Sequence, residues 1–194
     1  MSEAEAALHA RFPSPPDAPP HVVRDGLWRG IPSRAIYSPC EVYRYGLVRV
    51  WDPSKPVWMY AMLNPSKATE SGGDPTVDRQ VNRVVAAGGG TLIVVNAGGL
   101  RETDRLTALR HADPVGPDNL FWIRHLATSA EHIVLAHGPD AARFGGDRVL
   151  REAFAGRDCL ALRTTKGGWP GHPLYLGYAI EPTPYAYPDL AAAQ

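Results

Sequence analysis

Two apolar runs dominate the middle of the chain. Residues 57–63 and 91–95 are almost unbroken hydrophobic stretches, and each stops at an asparagine, Asn64 and Asn96. Runs of this length bounded by turn formers predict strands buried on both faces. Residues 133–136 form a third run, closing at His137-Gly138, and residues 159–162 a fourth. Ahead of them, 41–51 has strand composition and Asp52-Pro53-Ser54-Lys55 reads as a turn. The expected unit is a β-hairpin whose return strand, 57–63, becomes central.

Between these runs the spacing changes to that of helices. Asp74-Pro75-Thr76 is a helix start: the aspartate can accept from the first free amides, and proline at the first helical position loses no hydrogen bond. Val77, Val81, Val84 and Val85 then form an apolar stripe that Gly88-Gly89-Gly90 ends. This triple glycine follows a helix and precedes a strand, so it reads as a cap and connection, not a dinucleotide-binding loop. Asp104 is the expected cap of a short helix running to about Arg110. Residues 113–117 read as a turn and 118–129 as a helix turning Leu120, Ile123 and either Leu126 or Ala127 inward; a further helix is expected over 147–154.

The order β-β-α-β-α-β-α-β predicts an α/β fold, a three-layer α/β/α sandwich with a mostly parallel central sheet. Residues 1–39 are expected to be an N-terminal arm. It begins with a short Ala/Glu helix, passes Pro13, Pro15, Pro16, Pro19 and Pro20, and continues irregularly with Trp28 and Ile31 as anchors. Residues 40–180 form the expected single domain, and 181–194 a tail.

Composition narrows the classes. With 194 residues, one domain can bury a sufficient core without disulfides or metals. Acidic and basic residues balance at 20 each, so any DNA-binding surface must be a local patch. Cys40 and Cys159 are too few for a disulfide framework, and no run approaches a membrane span, so the expected place is the cytoplasm. The seven histidines show no metal-ligand spacing, and neither a nucleophile elbow nor a phosphate-binding Gly-Lys-Ser/Thr loop is present. No metal or other cofactor is expected.

The chemistry-bearing positions are the polar strand ends. Asn64, Asn96 and His137 each close an apolar strand, and the fourth strand feeds the loop 164–175 carrying His172. Parallel strands would deliver all of them to one edge, where ligands of open α/β sheets bind.

These motifs carry two resemblances. Met62-Leu63-Asn64-Pro65-Ser66, Asp74-Pro75-Thr76, Asn96, Arg101, Thr103, Pro114-Val115-Gly116 and His172-Pro173-Leu174-Tyr175 resemble the bacterial and phage family of unknown function designated DUF1643, over roughly residues 40–176. Ala136-His137-Gly138 departs from that pattern, in which a Trp-Gly pair is expected. The motif order is also similar to that of the uracil-DNA glycosylases. Leu63-Asn64-Pro65 resembles their first motif in its Asn variant, and 92–97 resembles the strand ending in a base-reading Asn. Residues 135–138 match the third motif weakly, and His172-Pro173-Leu174 matches half of the final His-Pro-Ser-Pro loop.

That second resemblance implies a uracil-DNA-glycosylase-like fold and hydrolysis of an N-glycosidic bond in DNA or in a free nucleotide. Such a reaction needs a group to position water, a donor to the departing base and a reader of the base edge. Asn64 would hold the water with help from Asp74, His172 would donate to the base, and Asn96 would read it. Pro65, Ser66, Arg101, His137, Lys166 and Tyr175 would complete the substrate contacts. Lys67, Arg79, Arg83 and Arg101 are the available cationic patch. The alternative is a non-catalytic nucleotide or nucleic-acid binding module with the same pocket.

Overall fold

A computed structural model describes residues 1–102, 107, 110–174 and 176–187. The elements are α1 (Glu3–Arg11), β1 (Val22–Trp28), β2 (Ile31–Tyr37), β3 (Arg44–Val50), β4 (Val57–Met62), α2 (Pro75–Ala86), β5 (Thr91–Asn96), α3 (Asn119–Ala127) and β6 (His132–Leu135). A 3-10 turn (Pro139–Phe144), α4 (Gly146–Ala153), β7 (Leu160–Ala161) and β8 (Thr183–Pro184) follow. The helix expected from Asp104 lies outside the described residues.

All eight strands join one sheet in the order β1-β2-β3-β5-β4-β6-β7-β8. Of its seven pairings, four are antiparallel (β1–β2, β2–β3, β3–β5, β7–β8) and three parallel (β4–β5, β4–β6, β6–β7). This mixed sheet overturns the expected mostly parallel α/β/α sandwich, and with it the uracil-DNA-glycosylase-like architecture. The hairpin expected from β3 and β4 does not form either, because β5 lies between them. It pairs parallel with β4 (Met62 opposite Asn96) and antiparallel with β3 (Leu47 opposite Val94). Periodicity reports burial and carries no strand direction, which is why this was not readable from pattern alone.

Within the stretch expected to be irregular, 22–39, residues 22–37 form a regular antiparallel hairpin. It turns at Arg29-Gly30, where both residues have positive φ (50° and 78°), the backbone of a two-residue turn matched to strand twist. It carries apolar core: Ala35, Ile36 and Tyr37 are buried, and Leu8 and Phe12 of the preceding segment pack into the same interior.

One sheet face is covered by α1, α3 and α4 around Trp122, Leu126 and Leu150; the other is covered by α2. Val77, Val81 and Val84 of α2 are buried on that second face, whereas Val85, assigned to the same stripe, is exposed. Asp74 caps α2 as anticipated, its Oδ1 accepting from the amides of Thr76 (2.8 Å) and Val77 (3.3 Å). At the far end, Gly90 lies so close to Asp52 that a Cβ would stand 1.8 Å from its carbonyl oxygen, so this connection admits only glycine.

Candidate functional site

The parallel centre of the sheet and α2 meet at one edge. β4 and β5 end there side by side, and their pairing continues beyond the strands through Ala97 N–H to Met62 O (2.8 Å) and Gly98 N–H to Leu63 O (2.9 Å). Because β3 runs antiparallel to β5, its first residue, Arg44, arrives at the same edge, its amide bonded to Gly99 O (2.8 Å). The capped start of α2 closes one wall, and the loop bearing His172 stands at the mouth. Together they enclose a cavity of about 230 Å³, lined by Arg44, Met62, Asn64, Pro65, Ser66, Asp74, Thr76, Val77, Val94, Asn96 and His172. That is below the roughly 300–1,000 Å³ of pockets for drug-sized ligands. Its size suits one compact polar group.

Asn96 is the most instructive of these residues. It is 2% exposed and lines the cavity, yet its side-chain amide has no hydrogen-bond partner among the described residues. An amide that opens onto a cavity takes its partners from whatever fills that space. Its position is held from behind: the fully buried Asn119 of α3 donates its Nδ2 to the carbonyls of Asn96 (2.9 Å) and Ala97 (3.3 Å). The backbone is therefore fixed while the side chain remains available.

Asn64 is half-buried, its Nδ2 donating to Glu102 O (2.5 Å), which leaves Oδ1 as an acceptor. Ser66 Oγ accepts from Ala68 N–H (3.3 Å). Asp74 uses Oδ1 for the helix cap, and Oδ2 makes no bond to the described residues. His172 is exposed at the rim, but crowding desolvates its ring and lowers its pKa, an effect that Asp74 partly opposes. Its Nδ1 accepts from Leu174 N–H (3.3 Å), so the neutral ring carries its proton on Nε2. The site thus offers an amide, a carboxylate oxygen and a neutral imidazole donor around one small space.

The remaining residues expected at the site lie elsewhere. His137 is buried (2% exposed) behind the edge. Its Nδ1–H donates to Gly138 O (2.8 Å), its Nε2 accepts from the Tyr187 hydroxyl (3.1 Å), and burial lowers its pKa to about 4. It anchors the 187 segment and does not reach the cavity. Lys166 is exposed in the 164–170 turn, away from the cavity lining. Arg101 lines a neighbouring depression that shares only Ser66 with the cavity; it donates to Glu41 O (3.0 Å) and lies 4.9 Å above the Tyr37 ring. Tyr175 and Thr103 lie outside the described residues. Of the cationic patch, Arg79 and Arg83 are committed internally, Arg79 to Leu176 O (2.7 Å) and Arg83 to the carbonyls of Leu176 (2.6 Å), Gly177 (2.9 Å) and Ile180 (3.2 Å).

Pattern reading missed Arg44, Thr76 and the supporting Asn119. An arginine within an apolar strand was the available signal for Arg44, but only the strand order places it at this edge. Among the described residues, no group of three or more His, Cys, Asp or Glu side chains is placed to hold a metal ion. No helix there is long and apolar enough to cross a membrane.

The family model described as "Protein of unknown function (DUF1643)" matches residues 44–174. The match begins at Arg44 and takes in Asn64, Asp74, Asn96 and His172. No curated protein matches the chain.

Proposed function

The chain belongs to the DUF1643 family, proteins of unknown function, and from that premise we propose that its cavity binds a small nucleobase-containing molecule and hydrolyses its N-glycosidic bond. One observation carries this reading. Asn96, 2% exposed, turns an unengaged amide, a donor and an acceptor side by side, onto a space suited to one heterocycle. A base edge with adjacent carbonyl and ring N–H complements that pair.

The surrounding groups have matching roles. A water held by Asn64 Oδ1 and Asp74 Oδ2 attacks the anomeric carbon, forming the C–O bond as the C–N bond breaks, and Asp74 takes the water's proton. The departing base keeps the bonding electrons, and its carbonyl oxygen receives a hydrogen bond from His172 Nε2–H. A neutral donor suits this task because it stabilises charge that appears only as the bond breaks. A free nucleoside or nucleotide is favoured over duplex DNA. With Arg79 and Arg83 committed to internal carbonyls, few cations remain near the mouth to neutralise phosphates.

Incubation with uridine, deoxyuridine, uridine 5′-monophosphate and a uracil-containing oligonucleotide, followed by chromatography of the released base, tests the reading. Release from a free nucleoside or nucleotide, reduced by Asn96→Ala, is expected. Binding without release would favour a nucleotide-binding module. The structural duties of Asp74 and Asn64, as helix cap and loop tie, are the observation on its side. Neither binding nor release would reject both readings.

A further inference from the structure

Four arginines are almost entirely buried, and three have evident compensation. Arg34 forms a two-point ion pair with Asp25 (2.7 and 2.8 Å). Arg49 stacks on Trp28 (3.9 Å), donates to Gly72 O (2.8 Å) and lies 3.8 Å from Asp78. Arg83 is wrapped by the three carbonyls already described. Arg44 differs. It is 1% exposed and has a single hydrogen-bond partner, Ala68 O, on Nη1; its Nε is buried without a partner, as are those of Arg49 and Arg83, and its Nη2 has none among the described residues. No described carboxylate forms an ion pair with it. Desolvation lowers its pKa to about 10, which still leaves it charged at neutral pH.

A buried guanidinium is costly unless hydrogen bonds or a counter-charge compensate it; Arg83 has three carbonyls, whereas Arg44 has one and is left able to donate to an acceptor in the cavity. The surroundings show where that acceptor would sit, because Arg44 lines the same cavity as Asn96. Asp74 is the other charged wall. It is close enough to act on Arg44 through space, but its Oδ1 is already bonded to two helix amides. Arg101, also nearby, adds further positive potential.

We infer that the cavity takes an anionic ligand, a molecule whose carboxylate or phosphate oxygens accept from the Arg44 guanidinium while the adjoining polar group engages Asn96. This rests on the nucleobase reading only for the identity of the adjoining group; the anion requirement follows from Arg44 alone. Two sources fit the chemistry: an acid carried directly on the heterocycle, and the phosphate ester of a nucleotide.

The test uses the full-length protein and calorimetric titration at constant ionic strength with uracil, uracil-6-carboxylate, uridine 5′-monophosphate and inorganic phosphate. A charged hydrogen bond to the buried guanidinium predicts that at least one anionic base compound binds about tenfold or more tightly than uracil. Preference for uracil-6-carboxylate identifies the ring acid, and preference for the monophosphate identifies the ester. Arg44→Gln keeps a donor for Ala68 O and should remove most of that preference. If this variant fails to fold, the comparison among ligands on the native protein still decides. Uracil binding as tightly as both anionic base compounds overturns the inference and leaves the nucleobase reading standing. Inorganic phosphate binding while no base compound does overturns the nucleobase reading and supports the anion site. No binding by any of the four rejects both.

Discussion

At Asn96 the side chain does nothing for the fold that the described contacts reveal, since its amide is unbonded and the strand end is held through its carbonyl by Asn119. Asn96→Ala should therefore leave the melting temperature nearly unchanged. The same variant should weaken ligand binding by about 1–3 kcal/mol, the cost of losing the amide's hydrogen bonds. Calorimetry and a thermal melt on one preparation check both halves. Asp74 separates in the opposite way, because its two oxygens have different duties. Asparagine caps helices about as well as aspartate, so Asp74→Asn should hold stability within about 0.5 kcal/mol while hydrolysis falls sharply. Asp74→Ala should lose about 1 kcal/mol as well. Equal activity in Asp74→Asn and wild type, measured as base release, would remove Asp74 from the chemistry.

Elements show where local and distant information part. The start of α2 was readable because capping is a local bargain: Asp74, Pro75 and the amides of Thr76 and Val77 lie within four residues. Asn64 and Asn96 were readable for a similar reason, as polar stops to apolar runs, and the structure brings both to one cavity with Asp74 and His172. The β1–β2 hairpin was not. Pro32 and Arg34 interrupt its strand pattern, and Arg34 is tolerated in the interior only because Asp25, nine residues away, meets it. Arg44 was missed because its role depends on β5 inserting between β3 and β4, a pairing that no residue near position 44 announces. His137 was misplaced because a polar residue at a strand end can turn towards the cavity or behind it, and Tyr187 decides the matter from 50 residues away. That contact makes a pH prediction. The folded-state pKa is lowered from the ordinary 6.5 to about 4. The unfolded chain thus binds more protons between these values, and stability falls as pH drops through that window. Between pH 7 and pH 5 the loss attributable to His137 should be about 2 kcal/mol. Urea melts of wild type and His137→Phe, which keeps a ring to stack on Tyr187, should show a shallower pH slope in the variant.

At the scale of the whole molecule, the N-terminal hairpin is structural material of the main sheet. Leu8, Phe12, Trp28, Ile36 and Tyr37 are buried, and β2 covers the outer edge of β3. Deleting residues 1–39 should expose that edge together with part of both faces. The expected product is a chain that binds a hydrophobic dye, melts without cooperativity and associates through the uncovered strand. A sharp thermal transition in the truncated protein would show that the hairpin is dispensable.

The grip of Arg79 and Arg83 on residues 176–180 has a consequence for the timing of synthesis. His172 belongs to a loop tied back through Gly171 N–H to Arg163 O (2.8 Å) and Gly138 N–H to Pro170 O (2.9 Å), and the gripped segment follows it, while Arg44 and Asn96 are made far earlier. As the polypeptide is translated, Arg44 and then Asn96 are made well ahead of His172, so the buried cation and the amide both wait for the loop at the mouth of their cavity. The strands β3, β4, β5 and β6 are all made before that loop, so the floor of the cavity precedes its rim in the order of synthesis.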